Sequence, residues 1–304
     1  MKFKNELYCL VDEDFISEFD GSHQAFMKNV YYKCYSDFAK GIGSKKLSKR
    51  DFFKNMHRRR IQLYQLCCPY CGTIQIFPVD RNRKKSGSLN YCCHCGRKST
   101  IKVCFDHLAR YIRLSQILDA GLNEKKKNSE SEEWLIGYEA YQMEIITLVS
   151  IVEVVFRDYF EALLFINNLN NGSNEYIQRS IDKTIGNEFM LIDKANVQYK
   201  RAFNIDIKTI VNEDVWNDLI DIVNLRNIFI HNNGYIDDKF RKTNTYMRLK
   251  GNVYDKLYCL KKEDTERYFK SVTVVTLALT ERYYKEYFRL RRKAIANYYF
   301  NVSD

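Results

Sequence analysis

Two short cysteine repeats carry the clearest chemistry in this sequence. The stretches CCPYCG (67–72) and CCHCGR (92–97) each contain C-x-x-C followed by glycine. A C-x-x-C turn lets two thiolates converge, the glycine admits the tight backbone that follows, and zinc prefers four soft ligands in a tetrahedron. The repeats therefore predict one Zn²⁺ site with four thiolate ligands: Cys68, Cys71, Cys92 and Cys95.

Other ligand sets stay open at this point. Cys67 and Cys93 offer a neighbouring register and His94 can compete, but C-x-x-C-G is intact in both repeats only in the register chosen. Four thiolates leave no open position for water, so the zinc is expected to be structural rather than catalytic. TIQIFPV and STIKVCF alternate after the two repeats as strands do, which predicts a small zinc ribbon over about 66–106.

Basic residues are concentrated around these repeats. The formal net charge is +11, and residues 1–122 hold 22 Lys and Arg against 11 Asp and Glu, whereas residues 123–304 hold 27 against 27. Between Lys40 and Lys102, 16 basic residues face only Asp51 and Asp80. Such a block attracts a polyanion, so nucleic acid, either DNA or RNA, is the expected partner, with a solvated basic surface as the alternative.

Two clusters within this block are the predicted nucleic-acid contacts. One follows aromatic residues that have the spacing of a short helix beginning after Ser48, with Phe52, Phe53, Met56 and Ile61 on one face. Basic residues interleaved with aromatic ones can hold phosphates and stack bases. The predicted contact residues are Arg58, Arg59, Arg60, Arg81, Arg83, Lys84 and Lys85.

A second set of reactive residues lies in RNIFIHNNG (226–234), at the end of an amphipathic stretch. Val215, Leu219, Ile222 and Phe229 recur at helical steps and Arg226 falls in the same row, so the arginine is expected to point inward. Asn227 and His231, four residues apart, share an adjoining face, and Asn232, Asn233 and Gly234 then end the helix, with the glycine as its left-handed cap. A charged residue in an apolar row is costly unless it is paired or functional.

The elements that position these residues are predicted to be mainly α. The chain is 45% hydrophobic with 2 prolines and 12 glycines, and helical spacing runs from 134 to about 169, 174 to 202, 212 to 231 and 263 to 297. Four to five antiparallel helices form a bundle. The polar stretch 123–133 predicts a linker between a basic region (1–122) and this bundle (134–304). The sequence contains no run of about 18 uncharged apolar residues, so no membrane span is predicted. The N-terminal residues lack the apolar segment of a secretion signal, so the protein is expected to be cytoplasmic.

The segment 134–300 resembles the HEPN superfamily. The features that carry the resemblance are Arg226 followed by Asn227, then His231, on the third helix of an all-α bundle whose first helix contains VEVVFRDYF. The resemblance implies a metal-independent endoribonuclease with Arg226, Asn227 and His231 as catalytic residues. It also implies an active site formed across a homodimer, RNA as substrate, and a role as a toxin or in defence against phage.

The residue types suit that chemistry. RNA carries its own nucleophile, the 2′-hydroxyl, so cleavage needs a base, an acid and positive charge at the phosphate. Histidine titrates near neutral pH, and arginine offers a planar clamp. In the structural alternative Arg226 pairs with a core carboxylate such as Glu153, and His231 only caps its helix. Two functional alternatives also stay open: a non-enzymatic zinc-ribbon regulator that binds nucleic acid and is dimerised by the bundle, and a protein-binding adaptor.

Overall fold

The computed structural model describes residues 8–9, 61–80, 92, 94–125, 130–169, 177, 179, 181–183, 189, 191–254 and 256–300. Helices dominate these residues, so the prediction of a mainly α protein is confirmed. The helices are α1 (Thr100–Lys125), α2 (Glu130–Asn167), α3 (Ile192–Phe203), α4 (Ile207–Ile210), α5 (Glu213–Asn232), α6 (Asp238–Arg241), α7 (Asn244–Leu249) and α8 (Lys262–Phe300).

Two small antiparallel sheets accompany the helices. The first has the order β1 (Tyr8–Cys9), β2 (Ile61–Cys67) and β3 (Ile74–Asp80), with Cys67 opposite Ile74 at the closed end of the β2–β3 hairpin. The second pairs β4 (Val253–Tyr254) with β5 (Leu257–Tyr258). A single bridge from Tyr235 to Leu257 extends this second sheet on its other side.

The helices agree with the predicted ones in type and differ in their limits. The run predicted as one or two helices is the single helix α2, and the last run is the single helix α8. The predicted helix at 212–231 is α5, shifted by one residue. In the predicted segment 174–202, the structure describes α3 and a few helical residues before it, and the rest lies outside the described residues.

The chain divides into two compact units, and the division cuts both long helices. Of the described residues, the first unit contains β1–β3, the second cysteine repeat, and the helix segments 162–167 and 284–300. Inside this unit the Tyr287 hydroxyl donates a 2.6 Å hydrogen bond to the carbonyl of Cys67. The guanidinium of Arg291, a residue that is 1% exposed, lies 4.3 Å from the ring centroid of Phe288. The start of the cysteine hairpin is thus held by α8.

The second unit contains α1, α2 up to residue 161, α3 to α7, β4, β5 and α8 up to residue 283. Its core is aromatic and carries its own hydrogen bonds. Tyr159 stacks on Tyr283 with ring centroids 4.3 Å apart, and its hydroxyl lies 2.8 Å from Thr280 Oγ1. The Thr100 hydroxyl donates to Tyr283 across 2.7 Å. Because the hydroxyls of Tyr159 and Tyr283 both have hydrogen-bond partners, these two rings are buried without an unpaired polar group.

Helix extends into the predicted linker at 123–133 from both sides, since α1 ends at Lys125 and α2 begins at Glu130. Residues 126–129 lie outside the described residues, so the boundary between 122 and 134 stays a prediction. Among the described residues, no helix has the length and apolar character needed to cross a membrane.

Candidate functional site

Helix α5 positions the arginine–histidine motif. Asn212 caps its first turn by accepting a 2.8 Å hydrogen bond from the backbone N–H of Val215, and Glu213 and Asp214 follow. Carboxylates in a first turn interact favourably with the positive end of the helix dipole. Side chains such as Leu219 are fully buried. The helix is therefore specified at its start and along its buried face, and the motif lies in its last two turns.

Arg226 is half-buried rather than directed into the core as predicted. The buried face of α5 changes position near the end of the helix, where the buried side chains are Leu225, Ile228 and Phe229. With about 100° between successive residues, these three side chains lie on one side of Arg226 around the helix, so the arginine is at the margin of the buried face. The guanidinium consequently lies at the edge of the covered surface, where it can be reached by a ligand.

Among the described residues, the guanidinium of Arg226 has an amide neighbour and no carboxylate partner. Its Nη1 donates to Oδ1 of Asn227 across 3.2 Å. In the described part of the chain, no Asp or Glu forms an ion pair with it, Glu153 included, so the predicted alternative of a pairing with Glu153 is wrong. The positive charge of Arg226 is therefore not neutralised by these residues.

His231 is exposed and lies one turn after the half-buried Asn227. Residues four apart on a helix are neighbours on its surface, so the amide stands between the arginine and the imidazole. The structure thus brings the three predicted catalytic residues to one end of one helix. This arrangement offers a permanent positive charge, a hydrogen-bonding amide and a titratable ring on an open surface.

The end of α5 is held by a contact that the sequence did not indicate. Asn233 takes the left-handed cap position (φ 49°), and Gly234 follows with φ 83°. The glycine was predicted to supply this cap, and the asparagine does so instead. A Cβ built on Gly234 falls well inside van der Waals contact of the Tyr138 hydroxyl and 3.1 Å from Tyr138 Cζ. The same hydroxyl donates to the carbonyl of Asn233 across 3.4 Å.

The segment after the cap is also tied down. The amide of Asn232 donates to Asp237 Oδ2 across 2.9 Å, and Asp237 Oδ1 accepts a 2.7 Å bond from the backbone N–H of Phe240, which caps α6. These two bonds, the backbone one foremost, lower the pKa of Asp237. The backbone N–H of Tyr258 donates to the carbonyl of Gly234 across 3.2 Å. His231 therefore stands on a helix end with a defined position.

A buried ionic network lies beside α5 and was missed at the level of sequence. Asp221 is 2% exposed, accepts a 2.7 Å hydrogen bond from Thr245 Oγ1, and forms an ion pair with Arg248. The amide of Asn224 donates to the same threonine hydroxyl across 2.9 Å. This network binds α7 to α5 and neutralises Arg248. No local pattern signals it, because its members are 24 and 27 residues apart.

The four predicted cysteine ligands converge. The thiol sulfurs of Cys68, Cys71, Cys92 and Cys95 all lie within 4.8 Å of one another. Cys68 Sγ is 3.7 Å from Cys95 Sγ, and Cys71 Sγ is 3.8 Å from Cys92 Sγ. A tetrahedron with metal–sulfur bonds of 2.3 Å has sulfur–sulfur edges of about 3.8 Å. The cluster can therefore hold a metal ion such as zinc.

The two repeats have nearly the same backbone. In the first, the N–H of Gly72 donates to the carbonyl of Cys68 across 2.9 Å; in the second, Gly96 donates to Cys92 across 2.8 Å. Both glycines have φ 70°, in the left-handed region that favours glycine. The backbone N–H of Tyr70 also donates to Cys68 Sγ across 3.5 Å. Such turns direct backbone donors at the sulfurs and stabilise their thiolate form.

Burial and these donors act on the thiols in opposite directions. Burial raises the pKa of Cys68 above its ordinary range. Burial also acts to raise the pKa of Cys92, but the backbone N–H groups of Cys95 and His94, with neighbouring thiols, lower it to about 7. His94 is exposed and Cys67 is buried, and neither belongs to the cluster of metal-ligating atoms among the described residues. Their side chains therefore do not join the cluster, and Cys93, the other cysteine of the alternative register, lies outside the described residues.

The element that follows the second repeat differs from a zinc ribbon's strand. β3 follows the first repeat, but STIKVCF leads into α1, which begins at Thr100. Ile101, Cys104, Leu108 and Tyr111 are buried at steps of three and four residues, which is the period of a helix. The strand predicted there is therefore wrong. The helix predicted to reach Ile61 is also wrong at its end, because β2 begins at that residue.

The predicted nucleic-acid contacts lie outside the described residues: Arg58, Arg59, Arg60, Arg81, Arg83, Lys84 and Lys85. They stay predictions from charge and spacing. Within the two cysteine repeats, one cation–π contact is described: the guanidinium of Arg97 lies 5.0 Å from the ring centroid of Tyr70.

Comparison with known protein families, with curated proteins and with solved structures finds no match for this chain. The cysteine cluster and the open end of α5 are therefore interpreted from their own chemistry.

Proposed function

We propose that the chain is a metal-independent endoribonuclease of the HEPN type that cleaves RNA through attack by the 2′-hydroxyl. The observation that carries the proposal is the open end of α5, which bears Arg226, Asn227 and His231 and where no carboxylate among the described residues forms an ion pair with the guanidinium. A carboxylate pair at Arg226 would compete with a phosphate for the guanidinium. An unneutralised arginine beside an exposed histidine favours binding of a phosphodiester.

Each residue has a separate role in this proposal. Arg226 binds the scissile phosphate and stabilises the negative charge that develops on it. His231 transfers a proton, either from the 2′-hydroxyl or to the leaving 5′-oxygen. Asn227, which accepts a hydrogen bond from Arg226, orients the guanidinium.

A second histidine is needed if separate groups act as acid and base. A two-fold homodimer of the helical bundle that faces two α5 ends towards one phosphate supplies it. Light scattering should give the mass of a dimer at micromolar concentration. A monomer that cleaves RNA at its full rate would contradict this arrangement.

Zn²⁺ bound by Cys68, Cys71, Cys92 and Cys95 is a structural part of the proposal. Four thiolates complete a tetrahedral coordination sphere, so the ion holds the hairpin together and takes no part in cleavage. The predicted basic contacts before and after the first repeat then bind nucleic acid.

The deciding experiment is cleavage of single-stranded RNA in magnesium-free buffer with EDTA, with zinc content measured afterwards to show that the structural site is still loaded. Wild type should leave 2′,3′-cyclic phosphate ends and should not cleave DNA or 2′-O-methyl RNA, because the nucleophile is missing. His231→Ala should lose about two to four orders of magnitude in rate.

Two matched variants sharpen this test. Arg226→Lys keeps the charge but loses the planar fork and should be nearly as poor as His231→Ala, and Asn227→Ala should fall between them and wild type. Ile230→Ala is the control, because it changes an exposed side chain next to His231 that has no role in the chemistry. A strict requirement for magnesium, or full activity of His231→Ala, would refute the proposal.

The cysteine cluster favours one second candidate, a non-enzymatic regulator that binds nucleic acid through the zinc-bearing hairpin and is dimerised by the bundle. In that case the wild type does not cleave RNA and His231→Ala binds nucleic acid as the wild type does, whereas Cys68→Ser abolishes nucleic-acid binding.

A further inference from the structure

Three side chains form a row across the small sheet next to the end of α5. Leu257 pairs with Tyr254 on one side and with Tyr235 on the other. Directly opposite residues of antiparallel strands project from the same face of a sheet. The order across this face is therefore Tyr235, Leu257, Tyr254, with neighbouring backbones about 4.8 Å apart and the two tyrosines about 10 Å apart.

The two tyrosines are open to solvent. Tyr254 is 76% exposed and Tyr235 is 57% exposed, while Leu257 between them is half-buried. Within the described residues, neither tyrosine ring has an aromatic or cationic stacking partner. Single exposed apolar residues are common, but two unstacked aromatic rings in one row offer flat surfaces for a planar ligand.

The row is fixed to the helix end that carries the proposed catalytic residues. Tyr235 follows His231 by four residues, and its backbone N–H donates to the carbonyl of Asn232 across 2.9 Å. On the other side, the backbone N–H of Ile236 donates to the carbonyl of Lys256 across 2.8 Å. A ligand on this row therefore lies at a defined position relative to the end of α5.

The charge around the row suits a polyanion. Residues 226–258 hold seven Lys and Arg against three Asp and Glu, whereas residues 123–304 as a whole hold 27 against 27. Arg248 is neutralised by the buried Asp221, but Lys250 and Lys256 are exposed close to Tyr254 in the chain. Lysines beside open aromatic rings are typical of surfaces that bind single-stranded nucleic acid.

We propose that Tyr235 and Tyr254 form a stacking site for unpaired bases of single-stranded RNA, with Lys250 and Lys256 at its phosphates. The choice of RNA rests on the proposed function. Bases in a duplex are already stacked and paired, so the site selects unpaired RNA and delivers it to Arg226 and His231.

The test is binding of a fluorescein-labelled, 2′-O-methyl single-stranded RNA to the full chain, measured by anisotropy at a salt concentration high enough to suppress purely electrostatic binding. Tyr235→Ala and Tyr254→Ala should each weaken binding about five- to a hundredfold, and the matching Tyr→Phe variants should bind as wild type because the ring remains. Ile117→Ala, at a 68% exposed position on α1, is the control and should have no effect.

A second measurement locates the RNA directly. The same oligonucleotide with 4-thiouridine should crosslink on irradiation to the peptides that contain Tyr235 and Tyr254, and excess unlabelled duplex RNA should not compete. Crosslinks confined to other parts of the chain, unchanged affinity of both alanine variants, or equal loss in Phe and Ala variants would overturn the inference.

The failure of this site and the failure of the proposed function are distinguishable. The methylated probe cannot be cleaved, so binding that depends on the tyrosines can be present in a protein that cleaves no RNA. In the opposite case, cleavage depends on His231, but Tyr235→Ala and Tyr254→Ala bind and cleave RNA as wild type does. That result would leave the nuclease proposal intact and rule out the stacking site.

Discussion

Gly234→Ala should destabilise the unit that contains α5. Gly234 has φ 83°, and a Cβ built there overlaps the Tyr138 hydroxyl and lies 3.1 Å from Tyr138 Cζ. The carbonyls on either side of this position are also engaged, since Asn233 accepts from Tyr138 and Gly234 accepts from the N–H of Tyr258. The chain cannot relax at this point without breaking one of these contacts.

The expected size follows from two separate costs. A left-handed conformation costs a residue with a Cβ about 1–2 kcal/mol, and forcing an extra methyl group into a filled space costs about 1–3 kcal/mol. Alanine also restricts the unfolded chain, which offsets about 0.4–1 kcal/mol. The free energy of unfolding should therefore fall by about 1–5 kcal/mol.

Urea unfolding followed by circular dichroism measures this change, and two variants separate its causes. Tyr138→Phe removes the overlapping oxygen, so Gly234→Ala in that background should cost less, about 0–2 kcal/mol, which is the backbone cost minus the effect on the unfolded chain. Gly121→Ala, in α1 where an added Cβ meets no atom within 4 Å, should be neutral or stabilise by up to about 1 kcal/mol. A Gly234→Ala protein as stable as wild type, or equal costs in both backgrounds, would refute this explanation of the helix end.

Three further predictions concern metal, acid and salt. Elemental analysis of purified protein should find one zinc per chain, and Cys68→Ser should lose it; metal-free protein with an intact hairpin would contradict the assignment. The pKa of Asp237 is lowered in the folded state, so its contribution to stability is complete above the unfolded-state pKa near 4 and is lost as pH falls through the folded-state value. Asp237→Asn should therefore flatten the loss of stability between about pH 4 and pH 2 in denaturation midpoints, and an unchanged acid profile would exclude that role. Affinity for nucleic acid should fall steeply with salt, and neutralising Arg58, Arg59 and Arg60 together should reduce the slope of log affinity against log salt by about 2–3; an unchanged slope returns this cluster to a solvated basic surface.

Features that depend on neighbours in sequence were predicted well. α5 was expected at 212–231 and is found at Glu213–Asn232, because its apolar period, its Asn212 cap and its Asn-Gly end are all local signals. The four cysteines that cluster were likewise identified, because C-x-x-C-G specifies a local turn that presents two thiols together. The local pattern gave the wrong element at STIKVCF, because a short run with β-branched residues is compatible with both a strand and a helix. Buried residues continue at helical spacing as far as Tyr111, and the segment therefore belongs to α1.

Composition and spacings of a few residues are enough to predict that the protein is mainly helical, that four thiols can share a metal ion, and that an arginine, an asparagine and a histidine lie at one helix end. Contacts between distant parts of the chain were needed to learn that Arg226 is half-buried without a carboxylate partner among the described residues, that Tyr138 closes over Gly234, and that two tyrosines form an open row next to the end of α5. These properties depend on which surfaces cover one another, and contacts between residues far apart in the chain leave no periodic trace in the sequence.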